Sequence, residues 1–66
     1  MSILKVIELL SESSDSWEDA TAKGIEKASS TLNNVRSAYV NEQSVTVSNG
    51  KIASYRVNLK ITFEVK

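Results

Sequence analysis

The run Tyr55-Arg56-Val57-Asn58-Leu59-Lys60-Ile61-Thr62-Phe63-Glu64-Val65-Lys66 alternates apolar and polar residues without interruption. A period of two places Tyr55, Val57, Leu59, Ile61, Phe63 and Val65 on one side of a β-strand and the six polar residues on the other. At about 3.3 Å per residue such a strand reaches roughly 40 Å, against a usual length of 5–6 residues. A chain of 66 residues has little else with which to cover so long a ribbon. Further copies of the same chain are the expected cover.

Working outward, Asn49-Gly50 precedes this strand and is a strong signal for a two-residue hairpin. Pairing across it sets Val47 against Ile52, Val40 against Leu59 and Ala38 against Ile61, so Val35–Ser48 is a second extended segment. The apolar parity changes between Ile52 and Tyr55 on one strand and between Val40 and Val45 on the other. A bulge is expected near that level, where the sheet turns its dry face over.

Upstream, Ser16 is a good N-cap, and Glu18 and Asp19 follow in the first turn, where the helix dipole favours anions. Trp17, Ala20, Thr21, Gly24, Ala28 and Leu32 form one stripe with Ile25 beside it. Its small middle residues should let the helix lie close to the sheet. Asn33-Asn34 suits a left-handed helix end. Residues Ile3 to Leu10, apolar except Lys5 and Glu8, read as a strand covered on both faces. Residues Ser11 to Ser16 read as a polar loop. The fold class is α+β with the order β-α-β-β, in a single domain spanning residues 1–66.

Composition narrows the function. Small chains commonly need disulfides, a structural metal or oligomerisation for stability. Cysteine and histidine are both absent, which removes disulfides, thiolate sites and the commonest zinc ligand. Self-association remains. Eight basic and eight acidic residues balance with no basic run, so no nucleic-acid partner is expected. No apolar stretch approaches the roughly 20 residues of a membrane span, and residues Met1–Lys5 read as the start of a strand. Nothing signals a compartment, so cytoplasmic is the default. Without histidine, and with Gly24 and Gly50 forming no phosphate loop, no enzyme activity is expected.

Two groups of residues carry possible chemistry. Asp15, Glu18 and Asp19 cluster at the loop–helix junction. They either cap and solvate the helix start or hold a hard cation, with calcium favoured over softer metals, although the spacing is not that of an EF-hand. Arg36, Arg56 and Lys60 project from the long strands; in a monomer they would be solvated charges, and in a closed shell they would line an interior or, the preferred reading, form ion pairs between subunits with Glu42 and Glu64. Trp17 is expected to pack in the core or an interface.

Lys5-Val6-Ile7-Glu8, Ser16-Trp17-Glu18-Asp19-Ala20, Val40, Gly50 and the run from Tyr55-Arg56-Val57 to Phe63-Glu64-Val65 resemble a dodecin over essentially all 66 residues. The resemblance implies a three-stranded antiparallel sheet wrapped around one helix, with twelve copies closing into a hollow homododecamer. It also implies storage of a small molecule, commonly a flavin such as riboflavin or FMN. The tryptophan that stacks on the flavin in such proteins corresponds to Ser37, the glutamate two residues later to Tyr39, and the glutamine facing the pyrimidine edge to Arg56. The stacking surface is lost, and an amide becomes a cation that cannot accept from N3–H. Arg36, Ala38, Glu42-Gln43, Gly50-Lys51-Ile52 and Tyr55-Arg56 resemble a tryptophan-less branch associated with calcium instead. The expected function is therefore a non-enzymatic shell that binds another small ligand or a cation. The alternatives are a flavin-buffering shell that uses Tyr39 for stacking, and a purely structural assembly.

Overall fold

A computed structural model describes residues 2–65; Lys66, the last residue of the alternating run, lies outside them. The elements are β1 (Ile3–Ser13), α1 (Trp17–Thr31), β2 (Val35–Ser48) and β3 (Lys51–Val65). They form one antiparallel sheet in the order β1-β3-β2, with the helix on one side. The strand with the cleanest alternation is thus the central one. Its inward residues Val57, Leu59 and Ile61 are fully buried. With Ala20 and Ala28 they form the buried apolar core among the described residues, and Ile7, Leu9, Trp17, Ile25 and Val35 pack around it.

The hairpin pairs as the turn predicts, with Val47 opposite Ile52, Val40 opposite Leu59 and Ala38 opposite Ile61. Asn49 and Gly50 both have positive φ, 54° and 73°, as a type I′ turn requires. Between the turn and Ser37, register shifts leave Ala53 unpaired on β3 and Asn41 unpaired on β2, one extra residue on each strand, and a third shift leaves Arg36 unpaired at the start of β2. The first two cancel, which is why simple counting from the turn works beyond both. The sheet does not turn its dry face over. Each bulge absorbs one residue where the apolar parity slips, so Val47, Val45, Val40 and Ala38 share the helix-side face.

β1 differs from expectation in two ways. It continues through Ser13 because Ser11, Glu12 and Ser13 pair with Val57, Arg56 and Tyr55. Two inward hydroxyls find partners on the helix. Ser11 Oγ donates to the Ala20 carbonyl at 2.6 Å, and Ser13 Oγ donates to Asp19 Oδ2 at 2.6 Å. The strand is also covered on one face instead of two. Ile7 and Leu9 face the helix, while Leu4, Val6 and Leu10 remain exposed on the outer side.

The helix begins as its sequence predicts. Ser16 Oγ accepts from the Asp19 backbone N–H at 2.9 Å. At its other end Asn34 takes a left-handed conformation, φ 63°. Ala20, Gly24 and Ala28 are its buried residues. The close approach is real: a Cβ on Gly24 would lie 2.8 Å from Leu59 Cδ1 and 3.1 Å from Ser11 Cβ. Overpacking costs about 1–3 kcal/mol, against at most about 1 kcal/mol of helix propensity gained. Gly24→Ala is therefore expected to destabilise by about 1 kcal/mol in denaturant titration. A stabilised variant would show that the notch is not tight. Fifteen helical residues span about 22 Å, while the molecule is 51 Å long. The helix therefore covers only the middle of the sheet.

Candidate functional site

The outer face of the sheet, away from the helix, carries the even-numbered residues of β3 from Ser54 to Glu64 and their partners. Ser37 lies opposite Thr62 and Tyr39 opposite Lys60. Arg56 lies between Ser44 on β2 and Glu12 on β1. All three sequence-predicted ligand positions share this face and are exposed. They do not share a level. Thr62 is six residues along β3 from Arg56, about 20 Å at 3.3 Å per residue. Within one chain Ser37 and Tyr39 are neighbours, while Arg56 lies six rungs from Ser37 and four from Tyr39. No aromatic platform exists at Ser37, so the residues present do not fit a flavin stacked in the usual manner. The nearest ring on that face is Tyr39.

Arg56 also has a partner of its own. Its Nε lies 2.5 Å from Glu12 Oε2, directly across the ladder. Hydrogen bonding from Arg56, aided by its charge and by the Ser54 hydroxyl, holds the Glu12 carboxyl below the ordinary glutamate value. Arg36 Nη2 likewise lies 2.6 Å from Glu64 Oε1. The Glu64 carboxyl is lowered by hydrogen bonding from Arg36 and then from Ser2. Both arginines thus close ion pairs within the chain. Glu12 went unrecognised as a partner because it was assigned to a loop. Only the β1–β3 register reveals it.

At the loop–helix junction, Asp19 Oδ2 accepts from Ser13 Oγ and lies 3.0 Å from Lys23 Nζ. The Ser13 hydrogen bond, followed by that of Lys23, holds the Asp19 carboxyl below its ordinary value. Lys23 is raised in turn by Asp19. The Asp15 backbone N–H donates to Ser13 Oγ at 2.9 Å. The Asp15 and Glu18 side chains face solvent. Among the described residues, no three carboxylates come together as a set able to hold a metal ion. Asp15, Glu18 and Asp19 share the junction without forming a cage, and Asp19 is already engaged. Within one chain these residues do not complete a calcium site, which takes 6–8 oxygen ligands.

These lowered carboxyls set a pH dependence. A carboxylate whose folded pKa is depressed contributes stability above its unfolded value, and that contribution is lost as pH falls through the folded one. Stability should therefore decline below about pH 4. Asp19→Asn should flatten that decline in denaturation series run from pH 7 to pH 3. A wild-type chain that gains stability on acidification would contradict these pairings. The groups are exposed, so the effect is small at high salt.

Trp17 joins the helix start to the hairpin. Its Nε1 donates to the Ser44 carbonyl at 3.0 Å, and its ring meets Tyr55 edge-on at 5.1 Å. At the opposite end of the helix, Lys5, Thr31, Asn33, Asn34 and Phe63 line an open recess of about 450 Å³. Glu64, the partner of Arg36, contributes to it, while the candidate ligand and metal positions Ser37, Tyr39, Arg56, Asp15, Glu18 and Asp19 do not.

The order β-α-β-β and the sheet order β1-β3-β2 are shared with known proteins. The dodecin family model matches residues 3–66. The chain belongs to the dodecin family. Calcium dodecin of Mycobacterium tuberculosis is 33% identical over 66 residues, covering 100% of this chain and 93% of the relative. The crystal structure of calcium dodecin from that organism is matched at 36% identity and a TM-score of 0.86, covering 98% of this chain and 93% of that one. Dodecin from Streptomyces davaonensis is matched at 28% identity and a TM-score of 0.93, covering 98% and 96%. Identity is thus higher to the calcium protein, while the backbone follows the Streptomyces protein more closely. Dodecins assemble as oligomers and bind small ligands. No helix among the described residues is long and apolar enough to cross a membrane.

Proposed function

We propose that this dodecin forms a closed homo-oligomeric shell, a dodecamer, that binds a small ligand or cation without catalysing a reaction and without stacking a flavin at the usual position. One observation carries the assembly. Ten large apolar side chains among the described residues stay exposed, while the buried core holds five apolar residues, two of them alanines. Further copies of the chain are the cover that this imbalance calls for. The ligand reading rests on Ser37, which offers no ring, and on Arg56, which Glu12 already engages.

A cation is supported by the likeness to calcium dodecin. Its oxygens would come from carboxylates such as Asp15, Glu18 and Asp19, completed by a second chain or by water, since one chain does not suffice. A second reading, flavin held on Tyr39, has one observation in its favour: that ring is 63% exposed on the same face as Ser37.

Native mass spectrometry should show a particle of about twelve chains. Titration with calcium should then raise its melting temperature, because a ligand that binds only the folded state stabilises it. Riboflavin fluorescence should stay unquenched at micromolar protein. A monomer at micromolar concentration overturns the assembly. Tight riboflavin quenching by the native chain selects the Tyr39 reading.

A further inference from the structure

The tip of the β2–β3 hairpin carries a chemically labile pair. Of the asparagines Asn33, Asn34, Asn41, Asn49 and Asn58, Asn49 alone precedes a glycine. Glycine has no Cβ to shield its backbone nitrogen. Attack of the Gly50 nitrogen on Asn49 Cγ forms the N–Cγ bond of a succinimide ring. The Cγ–Nδ2 bond breaks, and the Gly50 amide proton leaves with the side-chain nitrogen as ammonia. Water then opens the ring at Cγ to give aspartate, or at the main-chain carbonyl to give isoaspartate. Access does not oppose this chemistry. Both residues are exposed, and nothing lies within 4 Å of where a Cβ on Gly50 would stand.

Conformation does oppose it. Ring closure needs Asn49 Cβ and the Gly50 nitrogen nearly eclipsed about the Cα–C bond of Asn49. The φ values of 54° and 73° place the pair in a type I′ turn, whose first central residue takes a ψ of about 30°. For an L residue that ψ sets Cβ and the next nitrogen nearly opposite each other. We propose that Asn49 is a latent deamidation site, which the type I′ turn holds closed and which local opening of the hairpin tip releases. The tip can open by itself. Only Ser48–Lys51 and Val47–Ile52 pair between the turn and the bulge at Ala53. Val47 and Ile52 are 65 and 54% exposed, so little burial holds them. A segment of this kind opens without the core. Aspartate still suits the turn. Isoaspartate lengthens the backbone by a methylene, so the two-residue turn no longer closes and the tip stays open.

The native protein and the chain unfolded in urea are to be incubated side by side in mildly alkaline buffer and peptide-mapped by mass spectrometry. In urea, Asn49 should lose its amide before every other asparagine. In the native protein it should do so at least about tenfold more slowly, because only the open fraction reacts. Ile52→Ser weakens the one apolar pair of the tip. It should speed the native reaction while the circular dichroism spectrum of the fold persists. Equal rates in the two states, earlier loss at another asparagine in urea, or an unchanged native rate in Ile52→Ser would each overturn the proposal. A native rate that rises on dilution would assign the protection to contacts between copies, and would overturn it as well.

Discussion

Replacing Leu59 by alanine is expected to remove about 2–5 kcal/mol of stability, the usual range for emptying a buried leucine site. Leu59 is fully buried at the centre of the middle strand. It pairs with Leu9 on β1 and Val40 on β2, and its Cδ1 fills the notch left by Gly24. The remaining fully buried large residues are its neighbours on the same face, Val57 and Ile61. Nothing of comparable size can move in, and the flanking alanines of the helix are too short to close the gap. Domains as a class are stable by about 5–15 kcal/mol, so this loss takes a large share of the total. Denaturant titration at fixed protein concentration measures it, because assembly makes the midpoint concentration-dependent. Leu59→Met keeps the volume and should cost less than about 1.5 kcal/mol. A loss below 1 kcal/mol for alanine would mean that the core lies elsewhere.

Ser37→Trp is expected to create riboflavin binding that the parent lacks. A stacked aromatic partner contributes about 1–3 kcal/mol by analogy with nucleobases, which corresponds to roughly five- to over a hundredfold in affinity. Ser37 is exposed on the outer face, so the indole meets no core packing there. Arg56→Gln alone should change little. Its rung lies about 20 Å from that of Ser37, so in a shared site it can act only from another chain. It also releases Glu12, leaving an unpaired exposed carboxylate. The double variant should bind at least tenfold tighter than the parent, because the glutamine restores an acceptor for N3–H. Fluorescence-quenching titrations of the four proteins decide the matter. Nanomolar binding by the parent, or no gain in the double variant with assembly intact, would falsify the correspondence of these positions.

The elements themselves were legible because each rests on a local rule. Alternation identified β3, Asn49-Gly50 identified the hairpin, and Ser16 with the small-residue stripe identified the helix. Their order and the pairing near the turn followed. The bulges were legible only as a parity slip. Whether such a slip turns a face over or is absorbed depends on where the extra residue sits in the ladder, and that is a property of two strands together. The end of β1 was misread for a related reason. Ser11, Glu12 and Ser13 look like a loop until the Ala20 carbonyl, Arg56 and Asp19 are placed beside them.

The candidate site divides along the same line. The chain alone determined that cysteine and histidine chemistry is absent, that Ser37 offers no ring to a flavin, and that one long strand exceeds the cover available to it. Those conclusions need only residue identity and a period of two. The tertiary structure decided which carboxylate holds which arginine, that Ser37 and Arg56 are far apart along one face, and that Asp19 is engaged by Ser13 and Lys23. It also decided which apolar residues the single helix leaves uncovered. These are distances between segments remote in sequence. They are set by the β1–β3 register and by where the helix docks on the sheet, which no local pattern of residues encodes.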